Sequence, residues 1–198
     1  MRRTSYLLFF VIMISPFFYS CATSPPTRFY LITPLSAPPS ETAISPQAAK
    51  VQVDGVMVPG YLDRPGIVTR VSDYEIDVAD LNQWGESLHG NLTCVIAENL
   101  SRLLPQDQFA VFPFKCPGPV DYRVTVEILR MDGRLKGDVH LRAQWSILHG
   151  KNHGILATRK FQIHDSVAHG GYDALIAAQS RLIEALSRKI SNSLLACR

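Results

Sequence analysis

"VDYRVTVEILRMDG", residues 120–133, decides the fold. Tyr122, Val124, Val126 and Ile128 alternate with Arg123, Thr125 and Glu127. A period of two places one set on a buried face and the other toward water, which is a strand of a one-sided sheet. The next stretch, "GDVHLRAQWSILHG" (137–150), repeats the device through Val139, Leu141, Ala143 and Trp145. "HGKNHG" (149–154) marks a hairpin turn, and "ILATRKFQIH" (155–164) is the return strand. Three such strands in succession predict an antiparallel meander.

The chain on either side supplies the helices. After a break at Gly170-Gly171, Tyr172, Leu175, Ile176, Gln179, Leu182, Ile183, Leu186, Ile190 and Leu194 form an apolar stripe at helical spacing. Upstream, Leu81, Trp84, Leu88, Leu92, Val95, Ile96 and Leu103 recur at three- and four-residue steps, ending before Pro105. With Asp80 as N-cap they predict an amphipathic helix of about six turns. Asn99 lies in that stripe and needs hydrogen-bond partners if it is buried.

Shorter strands complete the pattern. "RFYLITPL" (28–35) places Phe29, Leu31 and Thr33 on one side. Residues 36–50, rich in Pro, Ser and Ala, read as a loop. "VQVDGVMV" (51–58) changes phase at Asp54-Gly55, the mark of a bulge. "GIVTRVS", "YEIDVA" and "FAVFPF" each read as a short strand. Two long helices with an antiparallel-rich mixed sheet predict an α+β, two-layer sandwich, a single domain over 28–198.

The N-terminus carries an address. Arg2 and Arg3 precede an apolar run from Leu7 to Phe18, broken by Ser15 and Pro16. This is the layout of a secretory signal over 1–20, too short for a comfortable span. Ser20 before Cys21 resembles a bacterial lipobox, which makes Cys21 the expected site of lipidation and 21–27 a lipidated tether. Covalent acyl chains, palmitate among them, would be the only added group, with no cofactor and no metal. Ala22, rather than aspartate, favours the outer membrane by the same resemblance. Loss of the leader lowers the formal charge from +3 to about +1. A near-neutral chain has no electrostatic footprint for nucleic acid.

Catalytic signatures are missing from the sequence: no GxSxG, HExxH, Walker loop or GxGxxG after a strand. The expectation is a protein that is not an enzyme. His149 and His153 are four apart, but in a turn rather than on a helix. Of the 4 cysteines, Cys94 and Cys116 are the better disulfide candidates. Cys94 falls off its helix's apolar stripe, whereas Cys197 falls on its own and reads as a buried free thiol; a chain with no disulfide is an equal alternative.

One connection is too elaborate for a turn. "VPGYLDRPGIVTR" (58–70) holds two prolines, two glycines, an aspartate and two arginines. Pro59 and Pro65 restrict the residues before them, Gly60 and Gly66 relax the backbone, and Asp63 can accept an N–H two residues on. A stiff corner loses little entropy when presented to a partner. Tyr61, Leu62, Asp63, Arg64, Pro65 and Arg70 are therefore interface candidates, toward another protein or a second copy. The alternative is internal: Tyr61 and Leu62 tucked on the core and Arg64 paired with an acid.

That corner, with "FYLITP" after a lipobox and the following "W-x-E-x-L" (Trp84, Glu86, Leu88), resembles the ABC-type transport auxiliary lipoprotein family, also called the PqiC family. The likeness continues through "IAENLSRLLP", "DYRVTVEI", "LRAQWSI" and "YDALIAAQSRLIEALSRKI". Gln83 and Ser87 stand where the family commonly has a basic residue and a proline. The resemblance implies an outer-membrane lipoprotein facing the periplasm. It would act beside an MCE-domain protein as a docking or accessory component of an intermembrane lipid transport system. A periplasmic lipid carrier, with its own apolar pocket between helices and sheet, is the alternative.

Overall fold

The computed structural model describes residues 24–36, 45–167 and 170–197. The leader and Cys21 lie outside the described residues, as does part of the loop expected over 36–50. In chain order the strands are β1 (Arg28–Tyr30), β2 (Ala49–Val53), β3 (Gly66–Arg70), β4 (Ile76–Trp84), β5 (Phe109–Pro113), β6 (Tyr122–Gly133), β7 (Gly137–His149) and β8 (Ile155–Val167). Helix α1 spans Leu88–Leu103 and α2 spans Tyr172–Ala196. The class is α+β, as expected. The strands divide into two sheets, β1-β4-β3 and β5-β2-β6-β7-β8.

The meander forms as its alternation dictates. Val124, Val126 and Ile128 of β6 and Val139, Leu141, Ala143 and Ile147 of β7 are fully buried. Both helices cover the face these residues share, α1 over β2 and β5, α2 over β7 and β8. β2 runs parallel to β5 and β6, and beyond Val53 the chain bulges. Asp54 N–H donates to Val124 O, and pairing resumes when Met57 N–H donates to Val126 O, both at about 3 Å. The phase change at Asp54-Gly55 is this bulge.

Two expectations shift. The helix does not begin at Asp80: residues 76–84 are strand β4, and Ser87 occupies the N-cap position of α1, without a side-chain capping bond. Leu81 and Trp84 sit at helical spacing to Leu88, but β4 pairs with β1 on one side and β3 on the other. Two ladders outweigh a propensity signal over so short a stretch. In the first strand Phe29 and Leu31 do share a side, but it is the exposed one, while Ile32 is buried.

After β1 the chain continues as an extended strap, residues 31–35, across the two helices. Ile32 N–H donates to Asn91 Oδ1 (2.8 Å), Thr33 N–H to Ser180 Oγ (3.1 Å) and Leu35 N–H to Asn99 Oδ1 (2.8 Å). Arg102 donates to Leu35 O. Asn99 is fully buried and also donates to Ser187 Oγ (3.2 Å), so the polar residue within the apolar stripe has its partners.

Candidate functional site

Residues 58–65 fold back on themselves. Pro59 O accepts from Leu62 N–H (2.9 Å) and Asp63 N–H (3.3 Å), and Leu62 O accepts from Arg64 N–H (2.9 Å). Gly66 is required for space: an added Cβ would lie 2.4 Å from Ala79 O on β4. Its φ is not positive, nor is that of Gly60, so conformational freedom is not what either supplies. Asp63 does not cap the N–H two residues on, because that residue is Pro65 and has none. Its carboxylate instead faces His89 Nδ1 at 3.5 Å.

The corner divides into an inner and an outer part. Leu62 is buried in the core. Tyr61, half-buried, donates its hydroxyl to Asp132 Oδ2 at 2.7 Å. Arg70 grips the same carboxylate with two bonds, Nε to Oδ1 at 3.0 Å and Nη2 to Oδ2 at 2.8 Å. Arg130 adds Nε to Oδ1 at 2.8 Å. The Asp132 side chain is 0% exposed. Burial alone would raise its pKa, but the hydrogen bonds from Arg70, Tyr61 and Arg130 prevail and hold it below the ordinary carboxylate value. Burial, then the bond to Asp132, pushes the Tyr61 phenol up to about 12. Tyr61 and Arg70 thus tie the corner and β3 to the end of β6.

The outer part faces solvent. Asp63, Arg64 and Pro65 are exposed, and they form one side of a cleft of about 250 Å³. Its other side is Glu86 and Ser87, and its floor is Trp84 and Leu88. Trp84 N–H donates to Pro65 O at 2.8 Å, which holds the two sides at a fixed separation. The two motif runs, "Y-L-D-R-P" and "W-x-E-x-L", therefore meet at one place. Arg64 has no ion pair among the described residues, so the internal pairing expected as its alternative is not formed.

Asp132 and Arg130 were not singled out by their sequence context. Asp132 sits in "RMDG", which looks like an ordinary strand end. The proposed Cys94–Cys116 disulfide is not formed: both carry free thiols, as does Cys197. Cys94 points to solvent from α1, whereas Cys116 is buried where its N–H donates to Gln52 Oε1 (3.0 Å). A bridge needs Cβ atoms within about 4.5 Å. Cys197 is half-buried rather than buried. Among the described residues no helix is long and apolar enough to cross a membrane.

Comparison with known proteins places the chain. The intermembrane transport lipoprotein PqiC of Escherichia coli (strain K12) is 26% identical over 156 residues, 79% of this chain and 80% of that protein. The Shigella flexneri protein of the same name matches equally. A crystal structure of an uncharacterized protein superposes with a TM-score of 0.72 at 22% identity, covering 86% of this chain and 99% of the other. One from Xanthomonas campestris gives 0.66 at 16% identity, covering 88% and 96%. These two likenesses speak to the fold alone. The model of the ABC-type transport auxiliary lipoprotein component matches residues 30–191, most of the chain, and the protein belongs to that family.

Proposed function

We propose that the protein is an outer-membrane lipoprotein subunit of an MCE-type, ABC-driven intermembrane lipid transport system. It is anchored by acyl chains on Cys21 and docks an MCE-domain partner through the Asp63–Arg64–Pro65 cleft. The observation that carries the docking role is the convergence of both motif runs on that cleft. Family membership and the name of the Escherichia coli relative support the transport role. A carrier with an internal pocket has less support, because the helix-facing side chains of β7 are packed to 0–4% exposure. The anchor has a direct check. Cys21→Ser is expected to release or mis-sort the protein and abolish labelling by a fatty-acid probe; a labelled, membrane-bound variant overturns the anchor.

Arg64→Glu tests the docking face. The side chain is exposed and unpaired, so stability should change by less than about 0.5 kcal/mol. Charge reversal at a contact replaces attraction with repulsion, and capture of the partner from detergent-solubilised envelopes should fall roughly tenfold, about 1.4 kcal/mol. Thermal melts and mass spectrometry of captured proteins on the same variant check both. A stable variant that captures normally removes the cleft from the interface.

A further inference from the structure

The strongest unassigned feature lies at the other end of the large sheet. β8 is its edge strand; α2 packs on both β7 and β8, yet Ala157 and Phe161 on the helix-facing side of β8 stay only half-buried. The result is a trough of about 580 Å³ between α2 and β8. That volume falls within the range of small-ligand sites, roughly 300–1,000 Å³. Its floor is apolar: Trp145 and Phe161 meet edge to face, with ring centroids 6.3 Å apart at 71°, beside Ala157. Its polar lining holds Arg159 and Lys189 beside Asn192 and Ser193, with no carboxylate among the described residues; Lys160 borders it too, but the alternation of β8 turns its side chain to the other face, that of Gln144. All three cations are exposed, and none forms an ion pair with an acid among the described residues.

Trp145 is 4% exposed, and its indole N–H has no acceptor among the described residues. A buried donor left unpaired is costly, and tryptophan usually finds a partner for it. That N–H is closed off from the trough, so what the trough offers is an aromatic floor with two cations, Arg159 and Lys189, at its rim. Peptide strands could pair with the free edge of β8, but an edge offers backbone groups to any extended chain and does not call for this floor and rim.

We infer that the α2–β8 trough binds an anionic phospholipid. One acyl chain lies along Trp145, Ala157 and Phe161, and the phosphate is held by Arg159 and Lys189. The inference deepens the transport reading by giving the subunit a lipid contact of its own. Its site is separate from the Asp63–Arg64–Pro65 cleft, so the two can fail independently.

Photo-crosslinking of the full-length protein tests it. The protein is held in non-ionic detergent micelles containing phosphatidylglycerol with a diazirine in its acyl chain, irradiated, digested and mapped by mass spectrometry. Adducts are expected on the peptides carrying Ala157–Phe161 and Lys189–Ala196. Unlabelled phosphatidylglycerol should compete, and inorganic phosphate should not. A phosphatidylcholine probe should label severalfold less. The pair Arg159→Glu with Lys189→Glu should cut adducts at least fivefold, with the melting temperature and partner capture unchanged, and Arg159→Lys with Lys189→Arg should retain them. Adducts elsewhere, undiminished adducts in the charge-reversed pair, or equal labelling by both probes overturns the site. So does a benzophenone at position 161 that links to another protein or a second copy instead of lipid.

Discussion

Asp132→Ala is expected to destabilise the protein by roughly 3–5 kcal/mol, the cost of removing one partner from a buried charge network. The carboxylate is 0% exposed and accepts from Tyr61, Arg70 and Arg130 at 2.7–3.0 Å. Without it a phenol loses its acceptor and two guanidinium groups lose their counter-charge. The two arginines keep some contact with water, which places the effect toward the lower end of the range. Chemical denaturation at neutral pH measures it, and a loss below about 1 kcal/mol would show that solvent replaces the carboxylate.

The same network sets a pH profile. Asp132 has a lowered folded pKa, so its contribution is present above the unfolded value near ~3.9 and is lost as pH falls through the folded one. Tyr61 has a raised pKa, about 12. Its contribution is present below the unfolded value near ~10 and is lost as pH rises from there toward the folded one. Allowing for its partial exposure, that limb amounts to roughly 1–2 kcal/mol. The difference between wild type and Asp132→Ala should therefore be widest in the neutral range and narrow at both extremes.

Trp84→Ala is expected to cost roughly 3–5 kcal/mol, as for other large-to-small changes in a core. The indole is 8% exposed and belongs to the main hydrophobic cluster with Leu62, Leu88 and Leu92. It is also the floor of the cleft, so truncation removes both packing and the surface on which a partner would rest. Arg64→Glu should spare stability and lose capture; Trp84→Ala should lose both. A denaturation loss below about 1 kcal/mol would mean the indole is not part of this core.

Local patterning made much of the fold legible. The meander follows from period-two alternation, and α2 from its apolar stripe after Gly170-Gly171, because β6, β7 and α2 each bury one face along most of their length. The start of α1 was obscured because Leu81 and Trp84 continue the helical spacing backward from Leu88. What makes 76–84 a strand is pairing with Arg28–Tyr30, far earlier in the chain, and with β3. Nothing in a local window encodes a parallel partner at that separation. The site shows the same division. The motif runs marked the cleft from both sides, but which of their side chains turn inward depends on Asp132, at the far end of β6. The elaborate corner is thus both alternatives at once: Tyr61, Leu62 and Arg70 fasten it, and Asp63, Arg64 and Pro65 are what it displays.

The clamped strap sets how far the domain can travel. With the anchor proposed at Cys21, no more than residues 21–27 separate it from the folded domain, because β1 is laced into its sheet and residues 32–35 are bound to both helices. A leash of that length spans roughly 25 Å at full stretch. The globule would therefore ride close against its own membrane, within about one molecular diameter, and could not ferry anything across the periplasm. Any bridge to the opposite membrane would have to be built almost entirely by the partner, arriving at a nearly stationary mooring.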